Sequence, residues 1–391
     1  MLSRPGQAES HPIRFPLAVS PDRRRIVGAD GEPVLIQGDA AWSLIANTTF
    51  DEAREYLDDR ESKGFSAVIV SLIEYLFAKN PPRNLAGVEP FTTPGDFRTP
   101  NEEYMRHAER VLQLAADRNL IVFLTPAYLG YPNANFPGYH GQSEGWYEEV
   151  LANGVAGCRA WGDYLAQRFG RFDNVIWQLG GDRNPGAATD GLTAMAAGLR
   201  AGGVTNLFTS HVFPECSPLD QPGLEWVDIN LTYTYNIVHR QLIADWRRDP
   251  VFPTLLIESS YEGEHDASEL QIRRQAYWSV LCGGNGHCMG NKPLWLFGTG
   301  WQEAMNRQAS WDMARFGQFF RALPWAELVP DIDAKVAVAG LGEERGLDRV
   351  TAAATPDGGL AVAYLPVKRA LTINPAALRG PSVAVSWYEP A

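Results

Sequence analysis

The sequence predicts an α/β chain, a (β/α)8 TIM barrel carrying a small antiparallel β domain at its C-terminal end. Three observations predict it. Eight short apolar runs alternate with helical stretches, and strands separated by helices pair in parallel because each crossover helix returns the chain to the same end of the sheet. The first run leads into Gln37-Gly38-Asp39-Ala40-Ala41-Trp42, which lacks the Gly-x-Gly-x-x-Gly turn of an open, doubly wound nucleotide-binding sheet. Beyond about residue 330 the helical periodicity stops and strand-like runs follow one another. A barrel takes roughly 250 residues. The 391 residues here accommodate it as domain 1–329, with the β domain at 330–391.

The elements follow in order. Leu17-Ala18-Val19 and Ile26-Val27 read as a hairpin, and an Asp30-Gly31 turn leads into the first barrel strand at Val34-Leu35-Ile36. Thr49-x-x-Glu52 has capping-box spacing, so a helix starts at Phe50 or Asp51 and runs to Lys63, where Gly64 ends it. Strand two is 66–71. Met105, Ala108, Leu112 and Ala115 form the stripe of a helix packed on a sheet, with strand three at 120–124. A helix over 146–169 precedes strand four at 174–179, and one near 190–201 precedes strand five at 205–210. Strand six at 226–231, a helix near 238–247 and strand seven at 253–257 come next. A helix at 268–281 precedes strand eight, Pro293-Leu294-Trp295-Leu296-Phe297, and Met313, Phe316, Phe320 and Leu323 mark the last helix. In the β domain, strands are expected around 335–339, 349–354, 360–365 and 382–387, with turns at 356–359 and 378–381.

Composition narrows the function classes. With 34 Lys and Arg against 46 Asp and Glu the formal net charge is −12, and no basic block interrupts it, so nucleic acid is repelled. The N-terminal ten residues hold no apolar signal core and no run reaches the length of a membrane span, which predicts a cytoplasmic chain without a membrane partner. Cys158, Cys216, Cys282 and Cys288 lack paired metal spacing and are expected as reduced thiols. The seven histidines include no H-x-H or H-E-x-x-H, so no metal or other cofactor is expected. A G-x-S-x-G elbow and a phosphate loop are also lacking.

What remains is a pair of acids. Strand four ends in Gly180-Gly181-Asp182 and strand seven in Glu258, and a residue at the C-terminal end of a barrel strand points into the active-site face. Two carboxyl groups on that face are what glycosidic cleavage requires, one to donate a proton and one to attack or stabilise the sugar carbon. Around them the strand ends place Asp39, Trp42, Glu74, Tyr75, Tyr128, Arg183, His211, Tyr233, Tyr235, Tyr261 and Trp301 as candidate carbohydrate-binding residues. Asp39 reads equally as a turn former, His211 as a scaffold residue, and Trp42 and Trp301 as core.

With those residues in hand, the chain resembles the apiosidase-like glycoside hydrolases, family 140 and its relatives. The matching stretches are Asp30-Gly31-Glu32-Pro33 leading to Gly38-Asp39-Ala40-Ala41-Trp42, Lys63-Gly64-Phe65, Leu179-Gly180-Gly181-Asp182-Arg183-Asn184-Pro185, Glu258-x-x-Tyr261-Glu262 and Gln275-Ala276-Tyr277-Trp278. The resemblance implies a retaining hydrolase with Asp182 as acid/base and Glu258 as nucleophile, acting on an oligosaccharide or small glycoside, with apiose as the family-level sugar. An inverting glycosidase and a non-catalytic carbohydrate-binding barrel are the alternatives. Relatives carry a Gly-His-Thr-Tyr-Gly type stretch where this chain has Gly286-His287-Cys288-Met289-Gly290, expected as a loop bordering the pocket, and its β domain is expected to be abbreviated.

Overall fold

A computed structural model describes residues 12–132 and 145–391; His11, His140 and the N-terminal ten residues read above lie outside it. Eight parallel strands make one sheet: β1 (Ile36–Ala40), β2 (Ala67–Ser71), β3 (Ile121–Thr125), β4 (Val175–Gly180), β5 (Phe208–His211), β6 (Asn230–Tyr233), β7 (Thr254–Glu258) and β8 (Gly286–Met289). Their order is β5-β4-β3-β2-β1-β8-β7-β6, so the first strand pairs with the last and the barrel closes except at the β5/β6 seam. There Asp228 N–H donates to Phe208 O at 2.8 Å and Thr209 Oγ1 to Ile229 O at 2.8 Å. All eight strands are buried throughout, as strands covered by helices on one face and filled by side chains on the other must be.

The longer helices among the described residues are α1 (Phe50–Ser62), α2 (Glu102–Asp117), α3 (Tyr147–Phe169), α4 (Thr189–Ala201), α5 (Val238–Trp246), α6 (Glu269–Leu281) and α7 (Gln308–Arg321), with single turns at Leu44–Asn47 and Trp301–Ala304. The capping box is formed: the Thr49 side chain accepts from Glu52 N–H, and the Glu52 carboxylate accepts from Thr49 N–H. Met105, Ala108, Leu112 and Ala115 are all buried on α2. Between β5 and β6 the described residues form only a 3-10 turn at Pro218–Asp220. No described helix is long and apolar enough to cross a membrane. The four cysteines are free thiols, three of them buried.

Strand eight is corrected. Pro293-Leu294-Trp295-Leu296-Phe297 is no strand; Leu294–Leu296 is a 3-10 turn above the barrel, held by Ser43 N–H to Trp295 O (3.2 Å) and Asn47 Nδ2 to Leu296 O (2.8 Å). The closing strand is Gly286-His287-Cys288-Met289, paired with Ile36 through Asp39. Hydropathy favoured the wrong run because the true strand is short and half polar. Its selection rests on close approach: a Cβ on Gly286, whose φ is +127°, would lie 1.9 Å from Ile36 O. The Gly-His stretch expected as a pocket loop is therefore wall, with His287 Nδ1 on Leu256 O at 3.2 Å.

Strands five and six also begin later than expected, at Phe208 and Asn230, because Asn206 and Asp228 tie the preceding segments down at the barrel floor. After the barrel, β9 (Val329–Pro330), β11 (Thr351–Ala354) and β12 (Ala361–Tyr364) form one antiparallel sheet, and β10 (Ala337–Ala339) pairs with β13 (Thr372–Ile373). This module packs on α6, with Tyr364 stacked on Tyr277 at 4.7 Å and Trp278 Nε1 donating to Arg349 O at 3.0 Å. The strand expected at 382–387 does not form. Val383, Val385 and Trp387 are exposed there.

Candidate active site

Two glycines make the turn that presents Asp182. Gly180 and Gly181 hold φ of +97° and +136°, and Gly181 N–H donates to His211 O at 2.7 Å. A Cβ on Gly181 would stand 2.1 Å from the Tyr128 ring, so the backbone passes directly beneath that ring. Tyr128, three residues past β3, then donates its hydroxyl to Asp182 Oδ2 at 2.8 Å. The double glycine thus lets strand and tyrosine approach, and the approach fixes the acid. Gly181→Ala is expected to destabilise the fold by about 1–3 kcal/mol through strain at positive φ and to lower hydrolysis by displacing Tyr128. Thermal unfolding checks it, and an unchanged Tm refutes the close-packing account.

His211, the last residue of β5, lies between the two acids with its side chain fully buried. Its Nδ1 accepts the Asp182 backbone N–H at 3.2 Å and lies 3.3 Å from Asp182 Oδ1; its Nε2 lies 3.3 Å from Glu258 Oε2. Because Nδ1 is an acceptor, the ring proton sits on Nε2, facing Glu258. Burial lowers the His211 pKa against the pull of Asp182, which keeps the ring neutral.

Glu258 closes β7, where the pairing with β6 slips between Thr232 and Tyr233 and sets Tyr233 opposite it. Tyr235 donates to Glu258 Oε1 at 3.3 Å, and the Tyr233 and Tyr235 hydroxyls are 3.1 Å apart. The Tyr261 hydroxyl oxygen accepts from Trp42 Nε1 at 3.2 Å, leaving the hydroxyl proton for Glu258. Burial pushes the Glu258 carboxyl up to about 8, against the tyrosine hydroxyls that pull it down. One oxygen of Asp182, one of Glu258 and a His211 nitrogen all lie within 4.8 Å of one another. These are also the side chains that could hold a metal ion, although His211 Nδ1 is already engaged by the Asp182 N–H.

The structure brings Tyr128, His211, Tyr233, Tyr235, Tyr261 and Trp42 around the two acids. Trp42 packs edge-on against His211 at 5.5 Å and lies 5.6 Å from Tyr128. Asp39 goes elsewhere. Alternation along β1 turns it outward to the helices, where it is fully buried and paired with Arg60 Nη1 at 3.0 Å and Tyr56 OH at 2.8 Å. It is structural, and no carboxylate oxygen reaches the face where a sugar would lie. Glu74 is buried beside Ser43 Oγ at 3.2 Å, and burial pushes its carboxyl to about 7. Tyr75 packs edge-on against Trp146 at 5.2 Å, and the Arg183 guanidinium sits 3.5 Å over Tyr147. Trp301 is core, packed at 5.1 Å on Phe297.

A family model for the apiosidase-like catalytic domain matches residues 20–327. The chain belongs to the apiosidase-like family. As a member of it, the apiosidase-like enzyme described here is a glycoside hydrolase. Among solved structures it is similar to a glycoside hydrolase family 5 protein from Bacteroides vulgatus, with a TM-score of 0.79 at 22% identity over 93% of this chain and 83% of that one. A second structure described as a glycoside hydrolase gives the same TM-score of 0.79 and 22% identity, covering 94% and 88%. A family 5 mannosidase from Rhizomucor miehei follows at a TM-score of 0.58 and 12% identity, covering 80% and 99%. At these identities the likeness is one of fold. No curated protein matches the chain.

One residue of this apiosidase-like site escaped the sequence reading. Trp295 is the first tryptophan after the true β8; it packs at 4.9 Å on Phe77, which lies 6.0 Å from Tyr128, and donates Nε1 to Glu264 at 2.8 Å. The misplaced strand eight put Trp295 inside the wall and passed its place to Trp301. Gly286, a glycine opening a run with two buried-compatible side chains, was the signal that could have found it.

Proposed function

We propose that this enzyme cleaves glycosidic bonds by a retaining double displacement with Asp182 as acid/base and Glu258 as nucleophile. The observation that carries the reading is separation. The nearest oxygens of the two acids lie within 4.8 Å of each other, a close approach that favours the roughly 5–5.5 Å carboxyl separation of retaining pairs over the roughly 6.5–9.5 Å that leaves room for an inverting water. Glu258 attacks the anomeric carbon while Asp182 protonates the departing oxygen; the glycosyl ester then breaks when Asp182 takes a proton from water, which attacks the same carbon and frees Glu258.

The neighbours support those roles. Tyr128 fixes the Asp182 carboxyl. Hydroxyls of Tyr233, Tyr235 and Tyr261 stabilise ionised Glu258. Neutral His211 spaces the two acids without adding a charge that would hold both ionised. Trp295, with Phe77 and Trp42, offers the aromatic surface on which the sugar ring stacks, the role assigned from sequence to Trp301. The substrate class is an oligosaccharide or small glycoside, and the family name makes terminal apiose the first sugar to test.

Aryl glycosides, apiosides among them, test this directly. Proton NMR of the first-formed product should show the anomeric configuration of the substrate; an inverted sugar refutes the mechanism. Attack requires Glu258 ionised, and burial keeps its carboxyl protonated up to about 8, so kcat/KM should climb by roughly tenfold per pH unit toward that value and level off above it. A pH profile flat from 5 to 8 contradicts this.

A further inference from the structure

Four residues past the end of β5, Glu215 takes a left-handed backbone conformation, with φ of +65°. Residues other than glycine rarely adopt it, and strain of this kind persists only where the surroundings hold it. The bonds that hold it are specific. Glu215 N–H donates to Tyr233 O at 2.8 Å. Its carboxylate turns onto the segment that follows β6, where Oε1 accepts from the backbone N–H groups of Tyr235 at 2.8 Å and Asn236 at 3.2 Å, and Oε2 accepts from the Thr234 hydroxyl at 2.6 Å. One exposed side chain thus takes donors from three consecutive residues, and an ionised acceptor makes such bonds stronger than a neutral one would.

The loop that carries Glu215 is fastened on both sides. Phe213 N–H donates to Asn184 Oδ1 at 3.2 Å, which ties the loop to the turn after Asp182, and Ser217 Oγ donates to the buried Asn230 Oδ1 at 2.7 Å at the start of β6. Glu215 therefore stands on a fixed base. The residue it holds has less support of its own. Tyr233 and Tyr261 are buried and fixed by packing, whereas Tyr235 is 46% exposed. Its hydroxyl nevertheless lies 3.3 Å from Glu258 Oε1 and 3.1 Å from the Tyr233 hydroxyl. At 3.3 Å that bond is long for a hydroxyl donor, so a small drift of the Tyr235 backbone would end it.

We propose that Glu215 is a positioning residue acting through Tyr235: its carboxylate fixes the Tyr235 backbone so that the tyrosine hydroxyl stays on Glu258. The role rests on the reading of Glu258 as nucleophile. Glu215 itself touches no reacting atom. A hydroxyl bonded to the ionised carboxylate favours that form, which is the form that attacks, and the benefit lasts only while the bond is made.

The test is a double-mutant cycle on kcat/KM for an aryl glycoside that the enzyme turns over, measured near pH 7. Tyr235→Phe and Glu215→Ala should each lower it about tenfold, the effect of one hydrogen bond to a charged group at the weak end of its range. The rising limb of the pH profile should move up by about one pH unit in both. In the Tyr235→Phe background, Glu215→Ala should cost less than about twofold, because the hydroxyl it places is already gone. Loosening of the fold would lower both backgrounds alike. Glu215→Gln, whose amide oxygen can still accept both backbone N–H groups, should recover most of the loss. A further fall of about tenfold in the Phe background, or a Glu215→Gln loss as large as that of Glu215→Ala, overturns the positioning role and leaves the catalytic pair in place. A product of inverted configuration overturns the nucleophile, and the role built on it falls with it.

Discussion

Glu258→Gln should leave about a thousandth or less of the turnover of an aryl glycoside, because an amide cannot form the glycosyl ester and the remaining groups cannot replace it. The same change should raise thermal stability. The sign follows from the raised pKa: the folded protein holds a proton on Glu258 up to about 8, while an unfolded glutamate releases it near 4.5. Between those values the unfolded state binds fewer protons, so rising pH draws stability away from the native state, and above about 8 the full cost of a buried charge is present. Glutamine removes that cost. The Tm gain should therefore be small at pH 5 and larger at pH 8.5. Turnover within tenfold of the unsubstituted enzyme refutes the nucleophile; a Tm gain that is larger at pH 5 refutes the account of its burial.

Asp182→Asn should divide substrates by their leaving groups. A general acid contributes typically about 10²- to 10⁴-fold where the departing oxygen needs a proton, so alkyl glycosides and disaccharides should lose activity on that scale. A 2,4-dinitrophenyl glycoside, whose leaving group departs as a stable anion, should form the glycosyl-enzyme nearly as before and then stall for want of a base. Azide, which needs no base, should restart it and yield a glycosyl azide of retained configuration. Asparagine preserves the shape and can still accept from Tyr128, so the loss isolates the proton. Equal loss on both substrate types, with no response to azide, would remove Asp182 from the acid/base role.

Periodicity and caps were legible in this chain wherever one physical signal dominated. The Thr49/Glu52 capping box and the α2 stripe formed as spaced. Strands β2, β3, β4 and β7 lie within about a residue of their expected bounds, since each is a continuous apolar run. Strand β8 was illegible because polar His287 and small Gly286 are accommodated only by backbone closing on backbone. That one displacement moved the aromatic assignment from Trp295 to Trp301. Asp39 was misjudged for a related reason: its position at a strand end was correct, but alternation sends its side chain to Arg60 on α1.

The sequence by itself determined that this protein is a barrel with acids at the ends of its fourth and seventh strands, because local propensity and the alternation of strand and helix are properties of neighbouring residues. It could not determine how far apart those acids stand or what lies between them. The tertiary structure decided that, by closing β8 onto β1, bringing Tyr128 over Gly181, and setting His211 between Asp182 and Glu258. Residues 54 and 47 positions from Asp182 and Glu258 meet them there only through the barrel's packing, and distance and burial, which govern both the reaction and the pKa, exist only once that packing is made.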